Sequence, residues 1–215
     1  MIEIWNYFKQ NGFTDEGAAA MLGNLYVESK LNPKNLQDSF NKSLNMSDEE
    51  YTKQVDNNIY KNFIYDKAGY GLAQWTHESR KQNFYKYIKS KNKSIGDLNA
   101  QLEFLLKELK EEYSKVYNKL KTSSNVSELS DCVMLDYERP ADKSEPAKQK
   151  RRKSSENFYN QYTGGKNTMK YSKTNPPLAC IMDNSTCYKG TSTMSVKGIL
   201  WHSTGVNNPD LKRYV

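Results

Sequence analysis

Glu28 closes the segment Gly23-Asn24-Leu25-Tyr26-Val27-Glu28-Ser29, and farther along comes Gly69-Tyr70-Gly71-Leu72-Ala73-Gln74-Trp75. The first segment sets one carboxyl at the end of an alanine-rich, mostly apolar stretch. The second is a glycine-punctuated turn carrying aromatic rings and an amide. Together they form equipment for gripping a sugar polymer and protonating a glycosidic oxygen.

The carboxyl needs an element to hold it. Thr14-Asp15-Glu16 reads as a helix start, with a hydroxyl cap and acidic residues in the first turn. From there Ala18, Met21, Leu22, Leu25 and Ser29 follow the spacing of one buried helix face. Glu28 lies beside Met21 and Leu25 on the shoulder of that face, and Asn32-Pro33 ends the helix soon after. A carboxyl half shielded at the negative end of a helix suits a proton donor, because both effects disfavour its charged form. Taken alone, Glu28 reads first as an ordinary surface glutamate near a helix end; the later turn reverses that reading.

In that turn, Gly69 and Gly71 permit positive φ and close backbone approach. Gln74 both donates and accepts hydrogen bonds, which matches an N-acetyl group or a hydroxyl. Tyr70 and Trp75 offer flat faces for sugar rings, or are two core aromatics of a tight interhelical turn.

The pairing of Glu28-Ser29 with Gly71-Leu72-Ala73-Gln74 resembles the lysozyme-like superfamily, which includes goose-type lysozymes and bacterial lytic transglycosylases. Leu31-Asn32-Pro33-Lys34-Asn35-Leu36 and Tyr137-Glu138-Arg139-Pro140 resemble the phage tail lysozyme family in particular, over residues 1–162. Ala73 stands where many relatives carry methionine. The resemblance implies a mainly α lysozyme-like domain acting on bacterial peptidoglycan. It implies cleavage of the β-1,4 bond between N-acetylmuramic acid and N-acetylglucosamine, with Glu28 as general acid. It implies substrate contacts from Tyr70, Gly71, Leu72 and Gln74, and no cofactor for this domain.

A second carboxyl is usual in glycoside hydrolysis. Asp66-Lys67-Ala68-Gly69 resembles the aspartate-bearing approach to the same turn in goose-type lysozymes, which makes Asp66 the choice, with a loop or capping aspartate as the alternative. In transglycosylases a late tyrosine contacts the catalytic glutamate, a role Tyr137 fits by resemblance. Glu138 and Arg139 read as an ion pair closing the domain. Two rivals stay open: a lytic transglycosylase forming 1,6-anhydromuramic ends, and a non-catalytic wall-binding or tail structural module.

Composition bounds the rest. The chain has 215 residues, 36% of them hydrophobic, with a mean hydropathy of −0.92, so the core must be efficient, and 16 tyrosines carry much of its burial. A net charge of +7 and a pI near 9.1 point to an anionic partner such as a wall polymer. The basic run Lys148–Lys153 reads as a solvated helix face capped near Ser144, its inner side using Ala147, Phe158 and Tyr162. No nucleic-acid motif accompanies it. No apolar stretch is long enough to span a membrane, and the N-terminus lacks the plan of a secretory signal. Three cysteines make no disulfide framework. Synthesis in a host cytoplasm is expected, with access to the wall through holin release or as part of a phage tail.

Leu98, Leu102, Leu105, Leu109, Val116 and Leu120 predict one long helix, and Phe84 and Ile88 another after Thr76. Residues 33–67 read as a long loop with at most short helices, forming one wall of a cleft. Residues 163–168 read as a linker. Beyond it, Val196-Lys197-Gly198-Ile199-Leu200-Trp201-His202-Ser203-Thr204 resembles the first strand of phage-type zinc N-acetylmuramoyl-L-alanine amidases. That implies a partial α/β amidase segment over 169–215, read as truncated, in which His202 would bind zinc were the domain whole. Two histidines in the chain are too few for a catalytic zinc site, so this part is expected to be inactive.

Overall fold

A computed structural model describes residues 1–164. The linker and amidase-like expectations, His202 and its zinc included, lie outside the described residues. Among the described residues, nine α-helices and one π-helical turn run in the order α1 (Ile2–Gln10), α2 (Asp15–Ser29), α3 (Asp38–Leu44), α4 (Asp48–Asp56), α5 (Glu78–Ser90), α6 (Leu98–Glu111), α7 (Ser114–Thr122), α8 (Val126–Cys132), the π turn (Val133–Glu138) and α9 (Glu145–Thr163). Among the described residues there is no β-strand, only isolated bridges pairing Tyr70 with Leu36 and Trp75. None of these helices is long and apolar enough to cross a membrane.

The fold is organised around α2. Thr14 caps it, its hydroxyl accepting from the Gly17 amide at 2.9 Å. It ends at Ser29, after which Lys30 and Leu31 take left-handed backbone conformations. The expected stripe of Ala18, Met21, Leu22, Leu25 and Ser29 is buried, yet so are Gly17, Ala19, Ala20, Gly23 and Asn24 between them. The helix is therefore enclosed on nearly every side, packed by α1, α7, α8, α9 and the π turn, rather than amphipathic. Small residues make this possible. A Cβ on Gly23 would stand 2.4 Å from the Ser155 backbone nitrogen of α9. A buried polar knot crosses the same interface: Asn24 Nδ2 donates to the Ser130 carbonyl and hydroxyl, and Ser155 Oγ donates to Ser130 Oγ.

A second layer holds the 33–67 segment and the glycine turn. Tyr51, Phe63, Tyr70, Trp75, Phe84 and Phe104 pack ring against ring, with Trp75 and Phe84 stacked at 4.7 Å. The 33–67 segment contains two short helices, α3 and α4. Where the leucine spacing predicts one long helix from Leu98, two are found. The chain breaks at Glu112 and Tyr113, whose ring meets Tyr137 edge-on at 5.1 Å. The apolar period continues across the break, which is why the pattern hides it.

Candidate active site

Glu28 occupies the penultimate position of α2, and its side chain is 20% exposed. It lines a groove of about 1070 Å³ together with Asn35, Gln37, Asp38, Gln74, Arg80, Tyr113, Glu138 and Arg139. The neighbouring Ser29 fixes the acid's helix to the glycine turn. Its hydroxyl is 3.0 Å from the Leu25 carbonyl and 2.9 Å from the Leu72 carbonyl.

Two partners surround Glu28. The Arg151 guanidinium of α9 donates from Nη2 to Glu28 Oε1 and lies 3.4 Å from Glu138 Oε2 through Nε. Glu138 ends the π turn and its side chain is only 2% exposed. The π winding is closed by the Arg139 amide, which donates to the Met134 carbonyl at 2.8 Å while Arg139 takes φ 53°. Burial holds the Glu138 carboxyl well above the ordinary carboxylate range, and the charge of Glu28 beside it adds to this; Arg151 pulls the other way. The shielding expected at Glu28 thus falls mainly on Glu138. Glu138 pairs with Arg151 rather than with Arg139, whose guanidinium lies over the Tyr113 ring.

The glycine turn supports the groove more than it faces it. Gly71 has φ 75°, and a Cβ there would stand 2.8 Å from Gln101 Oε1, so the close approach is made by a side chain of the protein. That same oxygen accepts from the Leu72 amide at 2.9 Å, and Leu72 is fully buried. Tyr70 is 1% exposed and shares a 2.6 Å hydrogen bond with Thr52. Trp75 is fully buried and donates from its indole nitrogen to Glu108. Both rings belong to the core. Gln74 does line the groove, in a left-handed conformation at φ 48°. Its amide nitrogen donates to the Asn35 carbonyl and side chain and to the Gly71 carbonyl, anchoring Asn35 at the groove.

Asp66 and Tyr137 stand elsewhere. Asp66 is 3% exposed, 2.6 Å from the ammonium of fully buried Lys81, and accepts from the hydroxyls of Tyr51 at 2.5 Å and Tyr60 at 3.1 Å. It is enclosed by core donors and does not line the groove. Tyr137 is fully buried and donates to Glu108 at 2.8 Å rather than to Glu28. Glu108 gathers Tyr137, Trp75 and a two-pronged contact from Arg80, so its buried charge is well compensated.

Arg151 was hidden in the basic run. Its place beneath the surface is signalled by spacing alone: Ala147, Arg151, Ser155 and Phe158 fall on one helix face and all four are buried. Among the described residues no group of three or more His, Cys, Asp or Glu is arranged to hold a metal ion.

The phage tail lysozyme family model matches residues 1–162 of the 215. The chain belongs to that family, which makes it a lysozyme-like, cell-wall-degrading hydrolase whose substrate is peptidoglycan.

Proposed function

We propose that this member of the phage tail lysozyme family cleaves the β-1,4 bond between N-acetylmuramic acid and N-acetylglucosamine, with Glu28 as general acid. The observation that carries this reading is the position of Glu28: at the end of the central buried helix, in an open groove, with Gln74 and Asn35 on the same lining. Its proton passes to the glycosidic oxygen as the bond to the anomeric carbon breaks. The Asn35 and Gln37 side chains, amides held near the turn, supply hydrogen bonds for sugar substituents. This chemistry needs a proton and water and no cofactor.

A lytic transglycosylase is the second reading, favoured by one observation. A hydrolase's two carboxyls flank the scissile bond about 5–9.5 Å apart, whereas Glu138 is buried against the same Arg151 guanidinium that holds Glu28, and Asp66 is outside the groove. A single acid suffices when the substrate's own 6-hydroxyl closes onto the anomeric carbon. Mass spectrometry of the products separates the two, since anhydromuramic ends lack one water.

Glu28→Gln keeps the shape and removes the proton. Release of fragments from purified sacculi is expected to fall about 10²-fold or more, with the melting temperature retained. Unchanged turnover rejects Glu28 as the acid.

A further inference from the structure

We propose that Glu138 is the proton-sharing partner of Glu28, a positioning residue that keeps one proton on the carboxyl pair and passes it to Glu28 when glycan fills the groove. This deepens the reading of Glu28 as the acid and rests on it.

Three observations from separate elements converge. The π turn, α2 and α9 bring Glu138, Glu28 and Arg151 into one cluster, so two carboxyl groups share a single guanidinium. With both ionised the cluster would carry a surplus negative charge, half of it on a side chain cut off from water. Glu138 Oε1 is moreover buried with no donor among the described residues. An ionised oxygen so placed lacks every hydrogen bond it needs, whereas a protonated one becomes a donor itself, beside the guanidinium that Glu138 shares with Glu28. Finally, the turn that presents Glu138 is π-helical, a winding that is rare and frequently found at functional sites.

Among the described residues no other cation pairs with Glu28 or Glu138. Tyr137, on the same turn, commits its hydroxyl to Glu108, and Arg80 commits its guanidinium there too. Arg139 covers the Tyr113 ring. α2 contributes Glu28 to the site and α9 contributes Arg151.

The steps balance. In the empty groove the proton is on Glu138, and Glu28 is ionised against Arg151. As glycan displaces water from Glu28, the proton moves from Glu138 to Glu28, and Arg151, already touching both, compensates the charge now left on Glu138. Glu28 gives the proton to the glycosidic oxygen, and the electron pair of the breaking bond stays with that oxygen as the leaving hydroxyl. Water, or the substrate's 6-hydroxyl, adds to the anomeric carbon and releases a proton that restores the pair.

The test uses the full chain, with kcat and KM on soluble glycan strands measured across pH for Glu138→Gln, Glu138→Asp and Glu28→Gln. For Glu138→Gln, kcat is expected to fall about tenfold or more with KM within about twofold. The alkaline limb of the kcat profile should move down by about one pH unit or more, because the cluster then has no second carboxyl to store the proton. Glu138→Asp, which can still hold a proton, should recover part of that shift. A purely structural Glu138 would lower the rate equally at all pH values, so an unmoved limb overturns the proposal. Infrared spectroscopy of the unaltered protein near neutral pH provides a readout independent of variant folding: a protonated-carboxyl band is expected, and its absence overturns the proposal. Activity retained in Glu28→Gln would instead reject the acid assignment itself.

Discussion

Glu28 and Arg151, 123 residues apart in the chain, meet as an ion pair beside the groove that Glu28 lines, and the same guanidinium reaches Glu138. The central helix α2 and the helix α9 that closes the domain are thus joined at Glu28, the acid proposed above. Changes at that junction should be read in both stability and turnover.

The buried Glu138 carboxyl sets a pH dependence of stability. Its folded-state proton affinity is raised above the unfolded value, so the native state binds the extra proton. That contribution is fully present below the unfolded value of about 4.3 and is lost as pH rises through the folded value, at up to about 1.4 kcal/mol per pH unit. Glu138→Gln, a neutral isostere of the protonated acid, does not titrate. The variant should melt with the unaltered protein near pH 4 and gain on it steadily as pH rises, which scanning calorimetry over a pH series measures. A constant gap would contradict the assignment.

Asp66 should matter for folding and not for turnover. Asp66→Asn leaves the fully buried Lys81 ammonium without its counter-ion, at a cost of about 3–5 kcal/mol, or roughly 6–20 °C in melting temperature. Lys81 is already held below its ordinary proton affinity by burial, with Asp66 opposing that shift. Activity per folded molecule is expected to stay within about twofold. A hundredfold loss with unchanged melting would return Asp66 to the chemistry.

Gly23→Ala should damage both. The added Cβ would meet the Ser155 backbone nitrogen at 2.4 Å and its Cα at 2.5 Å, so α9 must move. Ser155 is one turn from Arg151, whose carbonyl its hydroxyl contacts at 2.9 Å. Overpacking of this kind costs about 1–3 kcal/mol, and displacement of Arg151 should lower kcat alongside. Denaturant melts and single-substrate kinetics report the two losses; an alanine accepted without either would mean that α2 and α9 are not locked together.

Much of the scaffold is legible in local chemistry. The Thr14 cap and the Asn32-Pro33 terminator each act within a few residues, and each marks a real helix start or end. The 33–67 segment lines the groove through Asn35, Gln37 and Asp38 as its polar composition suggests. The site is less legible because its contacts are made at long range. Tyr70 and Trp75 have the chemistry of sugar platforms, but only packing decides which way a ring faces, and here both serve the core. Asp66 is chosen by its proximity to the turn in sequence, while in space Lys81 and two tyrosine hydroxyls claim it. Arg151 shares its surroundings with five exposed-looking polar neighbours, and its helix-face spacing from Ala147 and Phe158 is the one clue that it turns inward. The break between α6 and α7 escapes notice because apolar residues continue in phase through it.

The Ser29 hydroxyl, caught between its own helix and the Leu72 carbonyl, has a mechanical meaning. The proposed proton donor and the glycine bend ride on one mounting, so neither can drift while the other stays put. Alignment between the two is built in during folding, before any polymer arrives, and the strand of sugars must conform to a preset gauge.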